Sequence, residues 1–407
     1  MPISYFIPDW DDRVDPNYDF LADKHTPRRN PYHDDRYAHE IYAPNPLYDG
    51  VLLSRAVIDD AGKKLEHLMS SQSVHTYLRL PSTYKVLGDC GAFSYWEEEV
   101  PPYSTSDMVS FYEILGFDYG VSIDHLILAH ADAERRRRQE LTLSNAADFL
   151  AEHNQECRFI PIGVAQGWNP ASYCYAVKKL LQMGYTYLAL GGLVRSTTEQ
   201  ILAILQTIKP ELQANTQLHL FGVSRPEYVE TFAQLGVTSF DSTSRLRRAW
   251  MDGRRNYFLG NMTFSAIRVP DAHRLVKKKP TIDQDVALHL EQIALSALRT
   301  YGANKAAENL EEVLAAVLAY AELADQVTTH TRSDYRETLV RRPWDYCKCA
   351  ICEAIKVEVL IFRGNNRNRR RGFHNTWQLY KQLHGYEQEL PPPLNAADAL
   401  EQHALRL

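Results

Sequence analysis

The chain has 407 residues, 45% of them hydrophobic and 24% charged, with a formal net charge of −6. That is long enough for one barrel-sized domain with an accessory part, and too acidic for a globally basic nucleic-acid protein, so any polyanion must meet a local basic patch. No apolar run approaches the ~18 residues that a membrane span needs, so none is expected.

The opening MPISYFIPDWDDRVDP is acidic and aromatic, without the basic and apolar regions of a signal peptide. A cytoplasmic, reducing location is therefore expected, and the six cysteines read as thiols or metal ligands. Residues 1–50, rich in Tyr, Asp, Pro and His with little period, read as an irregular N-terminal arm whose aromatics pack on the barrel. From Val51, short β-branched runs alternate with amphipathic stretches. The expected strands are VLLSRAV from Val51, VHTYLRL from Val74, KVLGDC from Lys85, YGVSID from Tyr119, RFIPIGVAQ from Arg158, YTYLALGGL from Tyr185, LHLFGVS from Leu218 and VTSFDST from Val237. Helix signals fall between most of them. Asn169 and Pro170 open a helix that Gly184 closes, Thr197 and Thr198 precede EQILAILQTI, and Ser224 and Pro226 open one that Gly236 closes.

Eight strands alternating with helices over residues 51–282 predict an α/β fold, a (β/α)8 TIM-like barrel. The competing architecture is an open doubly wound sheet, but the glycine fingerprint of many such folds is missing. Residues 283–407 form a C-terminal helical region with a metal-binding insertion. It is helical from Asp283 to about Val327 with a break at Gly302. Then come DYCKCAICEAI from Asp345, the basic run RGNNRNRRRG, a helix from about Asn375, and a frayed end around the prolines at 391–393.

In a parallel barrel the carboxyl ends of the strands converge on one mouth. Here they carry Asp89, Asp124, Gln166, the pair Gly191 and Gly192, and Asp241. Any one Asp reads most simply as a helix cap or turn residue, but capping requires neither Gln nor a glycine pair. Two carboxylates at one mouth suit glycosidic-bond chemistry, in which one attacks the anomeric carbon and the other handles the proton. A third could accept from a guanine's N1–H and 2-amino group, with Gln166 and the glycine amides on the carbonyl side of the ring. Phe93, Tyr95 and Trp168 are weaker candidates for stacking, and Cys90, beside Asp89 with no base after it, reads as core.

Cys347, Cys349, Cys352 and His374 form C-x-C-x2-C with a distant His, a donor set for a closed, structural zinc site. Of the arginine clusters, Arg135 to Arg138 read as a solvated helix face. Arg245, Arg247 and Arg248, with Arg254 and Arg255, follow Asp241 closely and read as phosphate contacts. So do Arg363, Arg367 and Arg369 to Arg371, between the thiols and the His, with LVKKKPTI near Lys277 a weaker third.

The ordered set GDCGAF, VSIDH, GVAQG, LALGGL, HLFGV, SFDS and C-x-C-x2-C…H resembles the guanine transglycosylases that exchange a base for a 7-deazaguanine. With YFIPDWDDRVDPNYDF, YAHEIY, YDGVLLSR, QGWNPASY and FDSTSRLRRAW added, the chain resembles the DpdA branch, which acts on DNA. The resemblance implies Asp241 as covalent nucleophile and Asp89 as general acid/base. It implies base recognition by Asp124 with Gln166, Gly191 and Gly192, and structural Zn2+ on Cys347, Cys349, Cys352 and His374. The implied reaction replaces guanine in double- or single-stranded DNA with 7-cyano-7-deazaguanine, alongside other proteins of a DNA-modification system. Related barrels pair near their metal region, which admits a homodimer. The sequence departs from the tRNA enzymes at Cys90 to Ser94, where they carry SGGFQ, and at STSRLRR, where they carry a PTRN-like run. The competing readings are the same chemistry on tRNA and a zinc-clipped barrel that binds nucleic acid without catalysis.

Overall fold

The computed structural model describes residues 3–10, 12–60, 62–128, 131–304 and 309–394. Among them, eight parallel strands close into a barrel. They are β1 (Ser4–Pro8), β2 (Gly50–Ser54), β3 (Lys85–Asp89), β4 (Tyr119–Val121), β5 (Ile160–Ala165), β6 (Tyr187–Leu190), β7 (Gln217–Leu220) and β8 (Ser239–Asp241). Each pairs with its neighbour in sequence, and β1 closes the ring by pairing Phe6 with Gly50 on one side and with Asp241 on the other. Helices Thr105–Leu115, Asp132–Glu152, Pro170–Met183 and Thr198–Ile208 lie between successive strands, as right-handed crossovers require. Asn169 and Thr197 cap the last two through their side chains.

Two expectations fail here. VHTYLRL is a helix, Val74–Leu78, and not a strand. Its buried residues Val74, Tyr77 and Leu78 follow helical spacing, and Ser73 caps it by accepting from the Thr76 N–H. The missing strand is β1, inside the segment read as an irregular arm. Tyr5, Phe6 and Ile7 are a continuous buried run of the kind parallel strands show, obscured by the polar stretch after it.

Side chains alternate along a strand, so the barrel interior is layered. The apolar core of the interior holds Phe6, Leu52, Leu87, Val121, Ile162, Val164, Tyr187 and Ala189. Each Val, Leu, Ile or Phe among them stabilises the fold by about 1.5–3 kcal/mol on full burial. Two residues beyond Leu87, Val164 and Ala189 on the same face come Asp89, Gln166 and Gly191. The polar residues are therefore the next layer toward the mouth.

The described chain divides into two compact units. One compact unit holds the residues up to Trp10 with Tyr48–Thr243, and the second holds the segment between them, up to Leu47, and everything from Ser244 on. In the second unit, helices Ser244–Met251, Gln284–Ala303, Leu310–Leu323 and Thr331–Arg341 accompany a long helix, Gly364–Leu383. The expected break near Gly302 is present: Gln284–Ala303 ends one residue beyond it, and the next helix begins at Leu310. The long helix begins well before Asn375: the basic run is helical from Gly364 on, with Arg363 at its N-cap, and the buried contacts of its arginines outweigh the poor helix propensity of its glycines and asparagines. Of the expected frayed end, residues 395–407 lie outside the described residues. Among the described residues no helix is long and apolar enough to cross a membrane.

Candidate active site and metal centre

At the mouth of the first unit, β3 ends on Asp89, whose Oδ2 accepts the Gly91 N–H at 3.1 Å. Side-chain atoms of Asp89, Cys90 and Asp124 lie within 4.8 Å of one another. Burial pushes the Asp89 carboxyl up to about 7, and the negative charges of Asp124 and Asp241 push it the same way. A carboxyl so placed can give and take a proton near neutrality.

Asp124 follows β4 and is buried. Gln166 donates through Nε2 to its Oδ2 at 2.6 Å, and the Cys90 thiol donates to its Oδ1 at 3.2 Å. Burial raises the Asp124 carboxyl, and these two bonds oppose the rise. The Tyr95 hydroxyl stands 2.9 Å from Cys90 Sγ and 3.1 Å from the Asp124 carbonyl oxygen. Cys90 is fully buried, as expected of a core residue, and is also a donor to a site carboxylate, since burial pushes its thiol well up and keeps it protonated.

Gly191 permits a close approach that no other residue would: a Cβ there would lie 2.1 Å from Gln166 Nε2. The Gly191 N–H donates to the Ala165 carbonyl at 3.0 Å, and its own carbonyl accepts from Tyr173 at 2.7 Å. Gly192 takes the left-handed conformation, φ +76°. Gln166 Oε1 is buried with no partner among the described residues.

Asp241 closes β8. Its Oδ1 accepts the Gly222 N–H at 2.9 Å and faces His219 Nε2 at 3.2 Å. Sequence reasoning missed His219 and Gly222. The signal for His219 is a polar residue at an inward position of a barrel strand, in register with Ser239. Of the aromatics, Phe93 is exposed, Trp168 is half-buried, and Tyr95 is committed to Cys90.

In the second unit, Cys347, Cys349, Cys352 and His374 are all buried and present their ligand atoms to one another. The three sulfurs lie 3.4, 3.5 and 3.4 Å from His374 Nδ1. Bonds of about 2.3 Å to sulfur and 2.0 Å to nitrogen in a tetrahedron give an S···N edge of about 3.5 Å. His374 Nε2 donates to the Phe258 carbonyl at 2.6 Å, so a neutral ring turns its Nδ1 lone pair toward the thiols. Tyr257 stacks on that ring at 4.0 Å and its hydroxyl lies 3.2 Å from Cys352 Sγ. The cluster can hold a metal ion.

The arginine clusters divide sharply. Arg363 pairs with Asp23, Asp271 and Glu291, and Arg367 with Asp23 and Glu358. Arg370 and Arg371 are buried on the carbonyls of Asp15 and of Val359 and Ala249. Arg363, Arg367 and Arg370 are internal clamps that tie residues 12–47 to the long helix, and Arg371 is buried beside them. These four offer none of the expected phosphate surface, because a buried guanidinium already bonded has nothing left for a polyanion. Arg369 is half-buried and donates to the Arg13 carbonyl at 3.0 Å. Arg138 is likewise buried on His125 and on the carbonyls of Trp96 and Leu126, unlike the solvated face expected. After Asp241 the pattern is open. Arg248 is exposed and pairs with Asp252 at 2.7 Å, while Arg245 lies over the Phe258 ring at 3.9 Å and Arg247 is half-buried. Arg248, Arg254, Arg255 and His330 line a cavity of about 450 Å³.

The model of the queuine tRNA-ribosyltransferase family matches residues 97–258. A DNA-guanine transglycosylase from Salmonella montevideo is 43% identical over 406 residues, which covers 94% of this chain and 96% of the relative. A queuine tRNA-ribosyltransferase from Thioalkalivibrio sulfidiphilus is 30% identical over 128 residues, 31% of this chain and 33% of the relative. Identity of 43% along nearly the whole of both chains settles the family: this protein belongs to the guanine transglycosylases, in their DpdA-like branch, and is a guanine-exchanging glycosyltransferase.

Proposed function

We propose that the protein replaces guanine in DNA with 7-cyano-7-deazaguanine through a covalent aspartyl–DNA intermediate. The observation that carries the chemistry is the trio of acidic side chains from separate strand ends, with Asp89 held near 7 by burial and by its two acidic neighbours. The choice of DNA is supported by the name of the end-to-end relative.

In this reading the target guanine leaves the stack, at a cost of a few kcal/mol by the usual estimate, and enters the mouth. Asp124 accepts from N1–H and the 2-amino group, and Gln166 borders the same edge. Because the Gly191 N–H is already bonded, the ring carbonyl falls to Gly192. Asp241 attacks C1′ while Asp89 protonates the departing base. The deazaguanine then enters, Asp89 takes its proton, and C1′ is returned with retained configuration after two displacements. Arg245, Arg247 and Arg248, with the arginine-lined cavity, hold backbone phosphates without reading sequence. Cys347, Cys349, Cys352 and His374 bind zinc as a closed structural site, whose ion ties the two ends of that segment together and takes no part in the exchange. The protein works in the cytoplasm, as a homodimer, beside other proteins of a DNA-modification system.

The test is incorporation of labelled guanine into plasmid DNA and into bulk tRNA by the purified protein. Label in DNA that is lost with Asp241→Asn is expected. Label in tRNA alone establishes the second reading, to which the family model and the Thioalkalivibrio relative point.

A further inference from the structure

Behind Asp241 runs a buried polar chain that the exchange reaction, as described so far, does not use. His219 is fully buried, with Nε2 3.2 Å from Asp241 Oδ1 and Nδ1 2.8 Å from Ser239 Oγ. Ser239 Oγ in turn lies 2.7 Å from the Tyr187 hydroxyl. The imidazole edge meets Phe6 at 6.0 Å and Phe221 at 4.8 Å, which fixes the plane of the ring.

One arrangement of protons satisfies every atom of this chain. Burial pushes the Tyr187 phenol up, so Tyr187 keeps its proton and donates to Ser239. Ser239 donates to Nδ1 of His219, and the Nε2–H donates to the carboxylate. Run the other way, the chain would set a bare Nε2 lone pair against a carboxylate oxygen. A polar chain in an otherwise apolar layer costs desolvation, which only a fully bonded network offsets.

The Gly222 N–H reaches the same oxygen, at 2.9 Å. Both donors therefore converge on Oδ1, and among the described residues neither reaches Oδ2. We infer that His219 is a positioning residue: with Gly222 it pins Oδ1 of Asp241 and turns Oδ2 toward the sugar carbon. The inference rests on the reading of Asp241 as nucleophile. In the step it serves, the Oδ2–C1′ bond forms and the C1′–N9 bond breaks. The electron pair leaves with guanine, and the proton that guanine takes comes from Asp89. The His219 Nε2 proton stays where it is.

Held this way, the carboxylate need not be reoriented at the moment of attack, and misplacement of a reacting group by about 1 Å can cost a hundredfold in rate. His219→Phe keeps the volume and removes the donor. His219→Gln keeps an N–H near the Nε2 position. Tyr187→Phe and Ser239→Ala leave the imidazole and loosen its tautomer.

The experiment uses the full, metal-loaded chain. It measures single-turnover exchange of labelled guanine, KM for guanine, and the 15N spectrum of histidine-labelled protein, which reports which ring nitrogen of His219 carries the proton. The expected result is Nε2–H with bare Nδ1, and a fall in kcat of about 10–100-fold for His219→Phe with KM within about threefold. Most of that loss should return in His219→Gln. Tyr187→Phe and Ser239→Ala should each lose severalfold in kcat and show a mixed tautomer signal.

A proton on Nδ1 overturns the inference. So does His219→Phe turning over at the wild-type rate, or a His219→Gln variant no better than His219→Phe. If His219→Phe does not fold, Tyr187→Phe and Ser239→Ala decide: both at the wild-type rate with an unchanged spectrum overturns it. If the wild type exchanges no guanine into either polymer, the proposed function fails, while the 15N spectrum still decides whether His219 donates to Asp241.

Discussion

Gln166 donates through Nε2 to Oδ2 of Asp124 at 2.6 Å, and it can do so because residue 191 has no side chain: a Cβ there would stand 2.1 Å from that nitrogen. Gln166 could swing away only by abandoning a buried carboxylate. A hydrogen bond to a charged group is worth about 1.5–3 kcal/mol, so Gly191→Ala should raise KM for guanine by about 10–100-fold. The melting midpoint should also fall, by roughly a few degrees, because the lost bond stabilises the fold. Steady-state exchange with labelled guanine checks this, and an unchanged KM would remove Gln166 and Asp124 from base recognition.

Asp89 makes stability and activity depend on pH in a stated direction. Its carboxyl rises from an ordinary 3.8 to about 7 in the folded chain. Between those values the native chain holds a proton that the unfolded chain has released. Stability is therefore lost as pH climbs through that window, and no further loss comes above it. Asp89→Asn escapes the loss. It should match the wild type near pH 4 and exceed it at pH 8 by on the order of 1–3 kcal/mol, the full shift being discounted for solvent at the mouth. Urea melts at the two pH values test this. The same variant should lose exchange, and in the wild type kcat/KM for release of the base should fall about tenfold per pH unit above ~7.

The thiol–imidazole cluster predicts one tightly held zinc per chain by elemental analysis. Structural sites of this type supply folding free energy directly, on the order of 10 kcal/mol in small domains. Cys349→Ser or prolonged chelation should therefore lower the melting midpoint sharply. A metal-free protein that melts with the wild type would contradict the assignment.

Buried and exposed arginines should separate in a salt titration. Arg248→Ala and Arg255→Ala should each reduce the slope of log affinity against log salt by about 1, if each neutralises one phosphate. Arg367→Met should leave the slope alone. It leaves Asp23 with Arg363 alone and Glu358 with Arg299 alone, a loss approaching the about 3–5 kcal/mol of a fully broken buried pair. Equal effects of the two classes on the slope would refute the division.

Seven of the barrel strands were legible because each is a short apolar run ended by a polar or glycine residue. The first was not, since Ser4–Pro8 is followed at once by a polar, proline-rich stretch and takes its partners from both distant ends of the barrel. VHTYLRL misled through its β-branched and aromatic content, although 74, 77 and 78 already carry helical spacing. The carboxylates, Gln166 and the glycine pair were visible as strand-end residues, and the thiols as a spacing. His219 was not, because a single histidine in an apolar run carries no label until register sets it between Ser239 and Asp241. The charge of Arg363 to Arg371 was equally plain and misread: composition cannot show that Asp15, Asp23 and Glu358 neutralise or cap those side chains.

In the proposed reaction Asp241 bonds covalently to the sugar. The most direct test is to incubate the protein with guanine-containing DNA in the absence of an incoming base, denature it, digest it and map the DNA-bearing peptide by mass spectrometry. A deoxyribose ester on Asp241 is expected, absent from Asp241→Asn and discharged when 7-cyano-7-deazaguanine is added before denaturation. Exchange proceeding with no adduct, or with the sugar attached to another residue, would contradict it.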